Sequence, residues 1–386
     1  MVDRCHTIRS IIIKHYASFA ASRRLRADVQ RAAHRIISCR TASLGGHVER
    51  CRCGEVSRVR YNSCRHRSCP QCGGGRRAQW LQELSSQLLP CDHVHVIFTV
   101  PDSLNKLWQF NRTAFADLLL QAARESLQRL LGDPKYLGAT PGIISALHTW
   151  GRNLSIHPHV HCLVTAAGVD RSGNLVHSQR NALLPAKVLM AVFRGKLCAR
   201  LKAALDDREL SVPVGMTEAR LRSMLNRLGR NVWNVRVQER YRHGVSVAGY
   251  IARYITGGPI SDQRLHSVSD SQIVFRYRDY RDGEDHLMKS APHEFLALWS
   301  EHIPPRGLRM IRRCGLYANR HASTRQRIHG EFVKTKFHTA QTVTELEPES
   351  CPRCNTHVVR RDLQPIAQAR QPGRLKPGYS VPIQPP

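Results

Sequence analysis

The sequence predicts an α+β protein in which antiparallel strands alternate with helices. Strand-like alternation of apolar and polar residues recurs along the middle of the chain, and the strands that it defines pair through short turns. Helical spacing fills the intervals, without the regular strand–helix–strand order that predicts a parallel sheet. A cluster of cysteines between residues 39 and 72 adds a small metal-binding module before the sheet.

The composition indicates a nucleic-acid partner. The 386 residues carry a formal net charge of +30, from 59 Lys and Arg against 29 Asp and Glu. Such a charge calls for a polyanion, and a hydrophobic content of 41% is enough for packed cores in two or three modules. Because the chain lacks a membrane-length apolar segment and a signal-peptide pattern, we expect a cytoplasmic, nucleoid-associated protein with no membrane partner.

The elements before the central strands follow from local spacing. Apolar residues recur at helical intervals among basic ones over residues 7–38. Helical spacing resumes at 78–89, after three glycines that close the cysteine-rich module. The β-branched and aromatic segment 93–100 predicts a strand, and an amphipathic helix is expected at 105–131.

Two hairpins and three further helices complete the predicted layout. The first hairpin spans 143–166 and turns at Gly151-Arg152-Asn153, and the second spans 273–288 and turns at Asp282-Gly283. Alternation at Trp233, Val235 and Val237 predicts one more strand. Helices are expected at 185–206, 216–229 and 245–256.

The chain is therefore divided into four regions. They are a basic helical segment at 1–38, a zinc-binding, DNA-contacting module at 39–75, a main domain at 76–320, and a basic C-terminal region at 321–386 whose Pro-rich end, 371–386, is expected to be disordered.

The clustered cysteines predict structural zinc. An intracellular chain with C-x-C and C-x-x-C spacings favours metal over disulfides, and tetrahedral zinc takes four thiolate or imidazole ligands. The turn Cys69-Pro70-Gln71-Cys72 looks like a zinc knuckle, with Cys51-Arg52-Cys53-Gly54 as its partner. Eight candidate ligands, enough for one or two ions, lie in this module: Cys39, His47, Cys51, Cys53, Cys64, His66, Cys69 and Cys72.

A second cysteine pair, Cys351-Pro352-Arg353-Cys354, lies near the C-terminus. Two ligands are missing from it. His338 or His357 could complete a zinc site there, and a loop that merely contains two cysteines is an equally good interpretation.

The segment Ile156-His157-Pro158-His159-Val160-His161 carries the first catalytic pattern. On a strand, His159 and His161 point to the same face and can hold a divalent cation with coordination positions left open for substrate. In the predicted hairpin His148 lies opposite His159, which makes it the favoured third ligand, ahead of His157 or a polar group on the 245–256 helix. The alternative is a His-rich strand face in contact with solvent or phosphate. The similar pair at His93 and His95 is interpreted as a decoy because it lacks flanking histidines.

Tyr250 and Tyr254 carry the second pattern. Four residues apart on a helix, their hydroxyl groups lie on one face and could serve as alternative nucleophiles. Two core tyrosines on an amphipathic helix are the competing interpretation. No Gly-rich phosphate loop accompanies these motifs, so an ATP-driven enzyme is not expected.

In combination, HPHVH and YIARY about ninety residues later resemble the HUH (His-hydrophobic-His) single-strand nucleases. With the cysteine-rich module, the chain is similar to the zinc-binding, two-tyrosine, rolling-circle insertion-sequence transposases. Further stretches agree, among them HVIFTVPDSL and GYIARYITGGPIS. The spacing Cys51-Arg52-Cys53 departs from the family's usual C-x-x-C, and Ser68 stands where a histidine is common.

The resemblance implies a fold, a chemistry and partners. The fold would be an HUH nuclease domain with a central antiparallel sheet flanked by helices, preceded by the zinc module. His159 and His161 would hold Mg²⁺ or Mn²⁺, and Tyr250 or Tyr254 would form a 5′-phosphotyrosine link. The substrate would be single-stranded DNA at the element's ends and target, with the host replication machinery as a partner.

Basic side chains are expected to steer the DNA backbone in this picture, namely Arg253, Arg276 and Arg278, although a solvated basic face is an equally good interpretation of each one singly. Two alternatives stay open: a non-catalytic, zinc-stabilised DNA-binding regulator, and a plasmid-type replication initiator with the same chemistry.

Overall fold

The computed structural model describes residues 6–54, 57–179, 182–242, 248–249, 251–252, 258–279, 282–334, 351, 353–354 and 359–363. Within it the chain forms two compact units. The larger contains residues 1–37 and 65–344, and the smaller contains 38–64 and 345–386. The predicted disordered tail at 371–386 lies outside the described residues.

The strands and helices are numbered here in chain order. The strands are β1 (Gly46–Arg50), β2 (Ser57–Tyr61), β3 (His93–Thr99), β4 (Thr140–Trp150), β5 (Ile156–Val169), β6 (Leu175–His177), β7 (Val235–Tyr241), β8 (Leu265–Val268), β9 (Ile273–Arg278), β10 (Asp285–Ser290), β11 (Ile311–Gly315) and β12 (Val359–Leu363). The helices are α1 (Ile8–Ala21), α2 (Ala27–Ile37), α3 (Pro70–Ser85), α4 (Asn105–Phe110), α5 (Arg112–Leu131), α6 (Ala186–Asp206), α7 (Glu218–Leu228), α8 (Pro292–Glu301) and α9 (Ala322–Lys334).

A central antiparallel sheet organises the larger unit. Its strand order is β11-β4-β5-β3-β7, and β6 pairs with β5 beside this path. Every pairing in it is antiparallel. Helices flank the sheet, so the predicted α+β class with a central antiparallel sheet is confirmed.

One face of this sheet is mainly apolar and packs on helices. Because side chains alternate along a strand, Val94, Val96 and Phe98 of β3 share this face with Val160 of β5. They are buried together with the apolar sides of α5 and α6, for example Leu119 and Phe193. This packing anchors the strands, so the residues between them in sequence must point to the opposite face.

The opposite face is covered only in part. Ile144 and Leu163 are buried there against Leu84 of α3, Ile251 and Ile328 of α9. The described residues 248–249 and 251–252 are helical, in agreement with the helix expected at 245–256; residues 243–247, 250 and 253–257 lie outside the description.

Helix α3 differs from the prediction. It begins at Pro70 and runs through Gly73, Gly74 and Gly75, which were expected to end the cysteine-rich module before a helix at 78–89. Proline is favourable in the first turn of a helix, because the amide hydrogen that it lacks would have no partner there. Each interior glycine costs about 1 kcal/mol of helix stability, which the packing of Leu84 helps to offset.

The remaining parts of the larger unit mostly follow the sequence. The basic segment 7–38 forms two helices with a break at 22–26, and Arg26 in that break donates hydrogen bonds to the carbonyls of Ser300 and Ile303 at 3.0 and 2.9 Å. The hairpin at 273–288 is confirmed as β9 and β10, and β8 adds a third strand to it. Helix α9 was not anticipated, nor was β12 in the smaller unit, because the C-terminal region reads as charged and Pro-rich.

The smaller unit is a three-stranded antiparallel sheet with the order β12-β1-β2. Its central strand β1 pairs with β2 through a hairpin and with β12 from the C-terminal region, where Gly46 lies opposite Leu363. Among the described residues, no helix has the length and apolar character needed to cross a membrane.

Candidate functional site: a histidine-lined cleft

The candidate site is a cleft of about 1330 Å³ in the larger unit. Its floor is the partly uncovered face of the central sheet, where three neighbouring strands each present alternate residues. These residues are His157, His159 and His161 on β5, His95, Ile97 and Thr99 on β3, and Arg236 and Gln238 on β7, with Asn234 directly before it. The strand register aligns Ile97 with both His161 and Arg236, so polar side chains from all three strands meet on one surface.

Three of the histidines form a compact group. The β4–β5 register places His148 directly opposite His159, as the predicted hairpin requires. One ring nitrogen from each of His148, His159 and His161 lies within 4.8 Å of the others. The ring centroids are 4.1 Å apart for His148 and His161 and 4.9 Å apart for His159 and His161. The structure thus brings together the three histidines that the sequence singles out.

Burial keeps these imidazoles neutral. It lowers the pKa of His159 to about 4, and it lowers the pKa values of His148 and His161 well below the usual histidine range. Neighbouring histidines lower the pKa values of His148 and His161 further, because two imidazolium ions side by side repel each other. A neutral imidazole has the free electron pair that metal coordination requires.

Hydrogen bonds select the tautomers of two of the three. The Nδ1–H of His159 donates to the carbonyl oxygen of His157 at 2.6 Å, so the electron pair of His159 is on Nε2. The Oε1 of Gln238 accepts from the hydroxyl of Tyr241 at 3.1 Å and from Nδ1–H of His95 at 2.8 Å. Nε2 of His95 must then accept, and Nδ1–H of His161 donates to it at 2.7 Å. Both histidines therefore present Nε2 as the coordinating atom.

His95 and Gln238 are site residues that the sequence reasoning missed. His95 was set aside as a decoy, yet it lies buried against His161 with ring centroids 4.9 Å apart. The one available signal was a second His-apolar-His pair on a strand expected in the same sheet. Its other member, His93, lies apart from the group, and its Nε2 is 2.6 Å from the hydroxyl of Tyr317.

The donor set fits a divalent transition ion. Three neutral imidazoles suit Mn²⁺ and its neighbours in the first transition row better than Mg²⁺, which prefers carboxylate and water oxygens. Of the alternatives for a third ligand, His157 lies outside the three-residue group. The described residues of the 245–256 segment are Ala248, Gly249, Ile251 and Ala252, whose side chains offer no ligand.

The lining of the cleft is basic. Arg77, Arg152, Arg236 and Arg264 line it, against the single acid Asp262 among the described lining residues. The Asp262 carboxylate has a structural role, since its Oδ1 accepts a hydrogen bond from the backbone nitrogen of Ile8 at 2.8 Å. Guanidinium groups bind phosphate oxygens in pairs, so this cleft is suited to a nucleic-acid backbone.

None of the predicted DNA-binding and nucleophilic residues is found among the described residues that line the cleft. Arg276 and Arg278 are exposed on β9 and are not among the residues that line the cleft. Tyr250, Arg253 and Tyr254 lie outside the described residues. Gly249, one residue before Tyr250, lines the cleft. Gly258 has a positive φ of +79°, and a Cβ atom there would lie 2.8 Å from the carbonyl oxygen of Ser68, so only glycine fits after this segment.

The eight cysteines singled out from the sequence divide into two groups. Cys51, Cys53, Cys351 and Cys354, all in the smaller unit, have sulfur atoms that lie within 4.8 Å of one another. The other four are buried, with Cys39 and Cys64 in the smaller unit and Cys69 and Cys72 in the larger one. The expected pairing of Cys51 and Cys53 with Cys69 and Cys72 is therefore not the arrangement found.

The two candidate zinc-binding histidines are in neither group. His47 contacts Glu49 at 3.1 Å, and Nδ1 of His66 accepts from the backbone nitrogen of Ser68 at 3.2 Å. His338 and His357, the candidate partners of Cys351 and Cys354, lie outside the described residues. No disulfide is present among the described cysteines.

Comparisons with known proteins match the cysteine-rich region and the region of the histidine-lined cleft to two family models. A family model described as "Transposase zinc-binding domain" matches residues 11–100, and one described as "Putative transposase" matches residues 142–325. The chain is 35% identical over 290 residues to "Putative transposase y4qJ" of Sinorhizobium fredii, covering 73% of each chain. It is 31% identical over 293 residues to the transposase for insertion sequence element IS801 of Pseudomonas savastanoi pv. phaseolicola, covering 74% of this chain and 69% of that one.

Proposed function

Because the chain belongs to the IS91/IS801-type family of insertion-sequence transposases, we propose that it cleaves and rejoins single-stranded DNA by a metal-dependent, tyrosine-linked reaction in the histidine-lined cleft. The observation that carries this proposal is the group of His148, His159 and His161, of which His159 and His161 line a basic cleft and His148 is buried beside them. Neutral imidazole nitrogens within 4.8 Å of one another are donors that a divalent transition ion can take, and a phosphate held by the arginines would lie beside them.

The cleft's arginines would hold the DNA backbone across the histidine group. Arg236 reaches the floor from β7, and Arg77, Arg152 and Arg264 line the walls. An unpaired strand can bring a single phosphate against the floor more easily than a stiff duplex can. Arg276, Arg278 and Arg253 remain candidates for additional backbone contacts beyond the cleft.

His148, His159 and His161 would bind the divalent cation, with Mn²⁺ or Mg²⁺ as the candidates. When bound, the cation withdraws charge from the non-bridging oxygens of the scissile phosphate. His95 and Gln238 would keep Nε2 of His161 directed toward the site by holding its other nitrogen. With three histidines as its protein ligands, the ion would still be able to take a substrate oxygen.

Tyr250 or Tyr254 would supply the nucleophile. The phenol oxygen forms a bond to phosphorus and loses its proton to solvent, while the bond from phosphorus to the 3′ oxygen breaks. The electron pair of that bond leaves with the 3′ oxygen, which takes up a proton and becomes a 3′-hydroxyl. The 5′-phosphotyrosine link conserves the phosphodiester, so rejoining needs no ATP. The free 3′-hydroxyl would prime rolling-circle replication by the host machinery, and a second tyrosine would serve the second strand or the target.

The test is an adduct assay on the full chain. Single-stranded DNA that covers both flanks of the gene is incubated with the protein and Mn²⁺, then run on a denaturing protein gel. We expect a nuclease-sensitive shifted band that EDTA abolishes and that duplex DNA does not yield. The double variant Tyr250→Phe, Tyr254→Phe should lose the band and retain DNA binding, whereas Tyr277→Phe on β9 should keep both.

Each outcome decides between the candidate functions. An adduct that persists in the double variant would overturn the assignment of the nucleophile. Tight DNA binding without an adduct under any divalent ion would favour the non-catalytic regulator instead.

A further inference from the structure

The smaller unit brings two distant cysteine pairs to one end of its sheet. Cys51 and Cys53 lie in the hairpin turn directly after β1, and Cys351 and Cys354 precede β12. Strands β1 and β12 are antiparallel, with Arg50 opposite Val359. The end of β1 therefore meets the start of β12, and segments about 300 residues apart in sequence converge.

The sulfur positions suit a tetrahedral metal site. Sγ of Cys53 lies 3.4 Å from Sγ of Cys51 and 3.7 Å from Sγ of Cys351. A disulfide would require about 2.05 Å. Four thiolates at about 2.3 Å from a tetrahedral zinc ion lie about 3.8 Å from one another, close to what is found. The turn itself is shaped for this role, because Gly54 adopts a positive φ of +80° and its nitrogen donates to the carbonyl of Cys51 at 3.3 Å.

We propose that Cys51, Cys53, Cys351 and Cys354 bind a second structural zinc ion, which joins the C-terminal segment to the β1–β2 hairpin. The match to the zinc-binding domain ends at residue 100, so half of this site lies outside it. Four thiolates around Zn²⁺ carry a formal charge of −2. Each knuckle contains an arginine, Arg52 and Arg353, which supplies compensating positive charge.

The two cysteine groups differ in exposure, so we expect zinc to be removed from them at different rates. Cys39, Cys64, Cys69 and Cys72 are all buried, whereas Cys53 is exposed and Cys354 is half-buried. Chelators and oxidants reach exposed thiolates first. The second zinc, which secures the C-terminal strand, should therefore leave before the first.

The direct test is the zinc content of the full chain, purified without chelator and measured by mass spectrometry of the metal. We expect about two zinc ions per chain in the wild type and about one in the double variant Cys351→Ser, Cys354→Ser. The matched control is Cys91→Ser with Cys198→Ser, two buried thiols in neither group, which should keep about two. Two zinc ions retained by the first double variant would overturn the proposal.

A second measurement works on the wild type and does not depend on how a variant folds. Iodoacetamide labelling is followed residue by residue while a chromogenic chelator withdraws zinc. We expect Cys51, Cys53, Cys351 and Cys354 to become reactive together with the first zinc released, ahead of the other group. Rapid labelling of Cys351 and Cys354 before any zinc is released, or a wild type with only one zinc, would contradict the second site. Neither readout involves DNA cleavage, so both are independent of the proposed function.

Discussion

Nε2 of His95 lies 2.7 Å from Nδ1 of His161, and the two rings meet edge to edge with an angle of 24° between their planes. Gln238 holds the other nitrogen of His95 at 2.8 Å. This chain of hydrogen bonds determines which nitrogen of His161 faces the cleft. A ligand histidine whose second nitrogen is held in this way keeps its orientation and tautomer.

We expect His95→Ala to weaken binding of Mn²⁺ to the cleft by about 10–100-fold, because His161 loses the partner that orients it. Titration calorimetry on the free protein measures this directly. His95→Gln should retain part of the affinity, since its side-chain oxygen can accept from His161. The exposed His177→Ala on β6 is the control. Equal Mn²⁺ affinity in His95→Ala and the wild type would show that the contact does not position the ligand.

Metal selectivity should follow from the all-imidazole donor set. We expect adduct formation to reach half its maximum at a lower concentration of Mn²⁺ than of Mg²⁺, because imidazole nitrogen suits the softer ion. Replacing one imidazole by a carboxylate, as in His148→Asp, should shift the preference toward Mg²⁺. The adduct assay with each ion in turn gives both values. A wild type that prefers Mg²⁺, or a variant with unchanged preference, would argue against these three histidines as the ligand set.

Arg236 should contribute to DNA affinity without reading sequence. Arg236→Ala removes one cationic contact from the cleft, so affinity for single-stranded DNA should fall for all sequences alike. The slope of log affinity against log salt should flatten by about 0.7, the value for one phosphate contact on a single strand. Fluorescence anisotropy over a salt series measures both. Arg220→Ala, exposed on α7 and outside the cleft, should change neither quantity; an equal loss there would point to net charge rather than to the cleft.

His302 should make stability depend on pH. Burial lowers its pKa to about 4, while Nε2–H donates to the carbonyl of Leu154 at 2.8 Å. In the unfolded chain the pKa of a histidine is about 6.5. As the pH falls, His302 is therefore protonated in the unfolded state before it is protonated in the folded state. The stabilisation from the neutral ring, about 3 kcal/mol, is complete above pH 6.5 and is lost as the pH falls toward 4.

Urea unfolding at pH 7 and pH 5 tests this expectation. The wild type should lose about 2 kcal/mol from this residue between the two values. His302→Gln should be less stable at pH 7 but should show a smaller loss on acidification, and the exposed His266→Gln should behave as the wild type. An unchanged pH dependence in His302→Gln would show that another group is responsible.

Local patterns predicted most of the strands and helices, because their periodicity reflects which side of each element is buried. The hairpin of β4 and β5 shows how far this goes: a short turn determines the register, and the register puts His148 opposite His159. The same logic failed for Gly73 to Gly75, where glycine was interpreted as the end of a module although helix α3 continues through it. Propensity is a weak guide where neighbouring contacts stabilise the less favoured conformation.

What the sequence by itself determined is therefore local: His159 and His161 on one strand face, the short hairpins, a strongly basic chain and cysteine pairs at metal-binding spacing. The tertiary structure decided which of these features meet. It placed His95 of β3 against His161 of β5, and it joined Cys51 and Cys53 to Cys351 and Cys354. Spacing within one element is built into the chain geometry, whereas contact between distant elements depends on how the sheets pair, and strand pairing leaves no local pattern in the residues that it brings together.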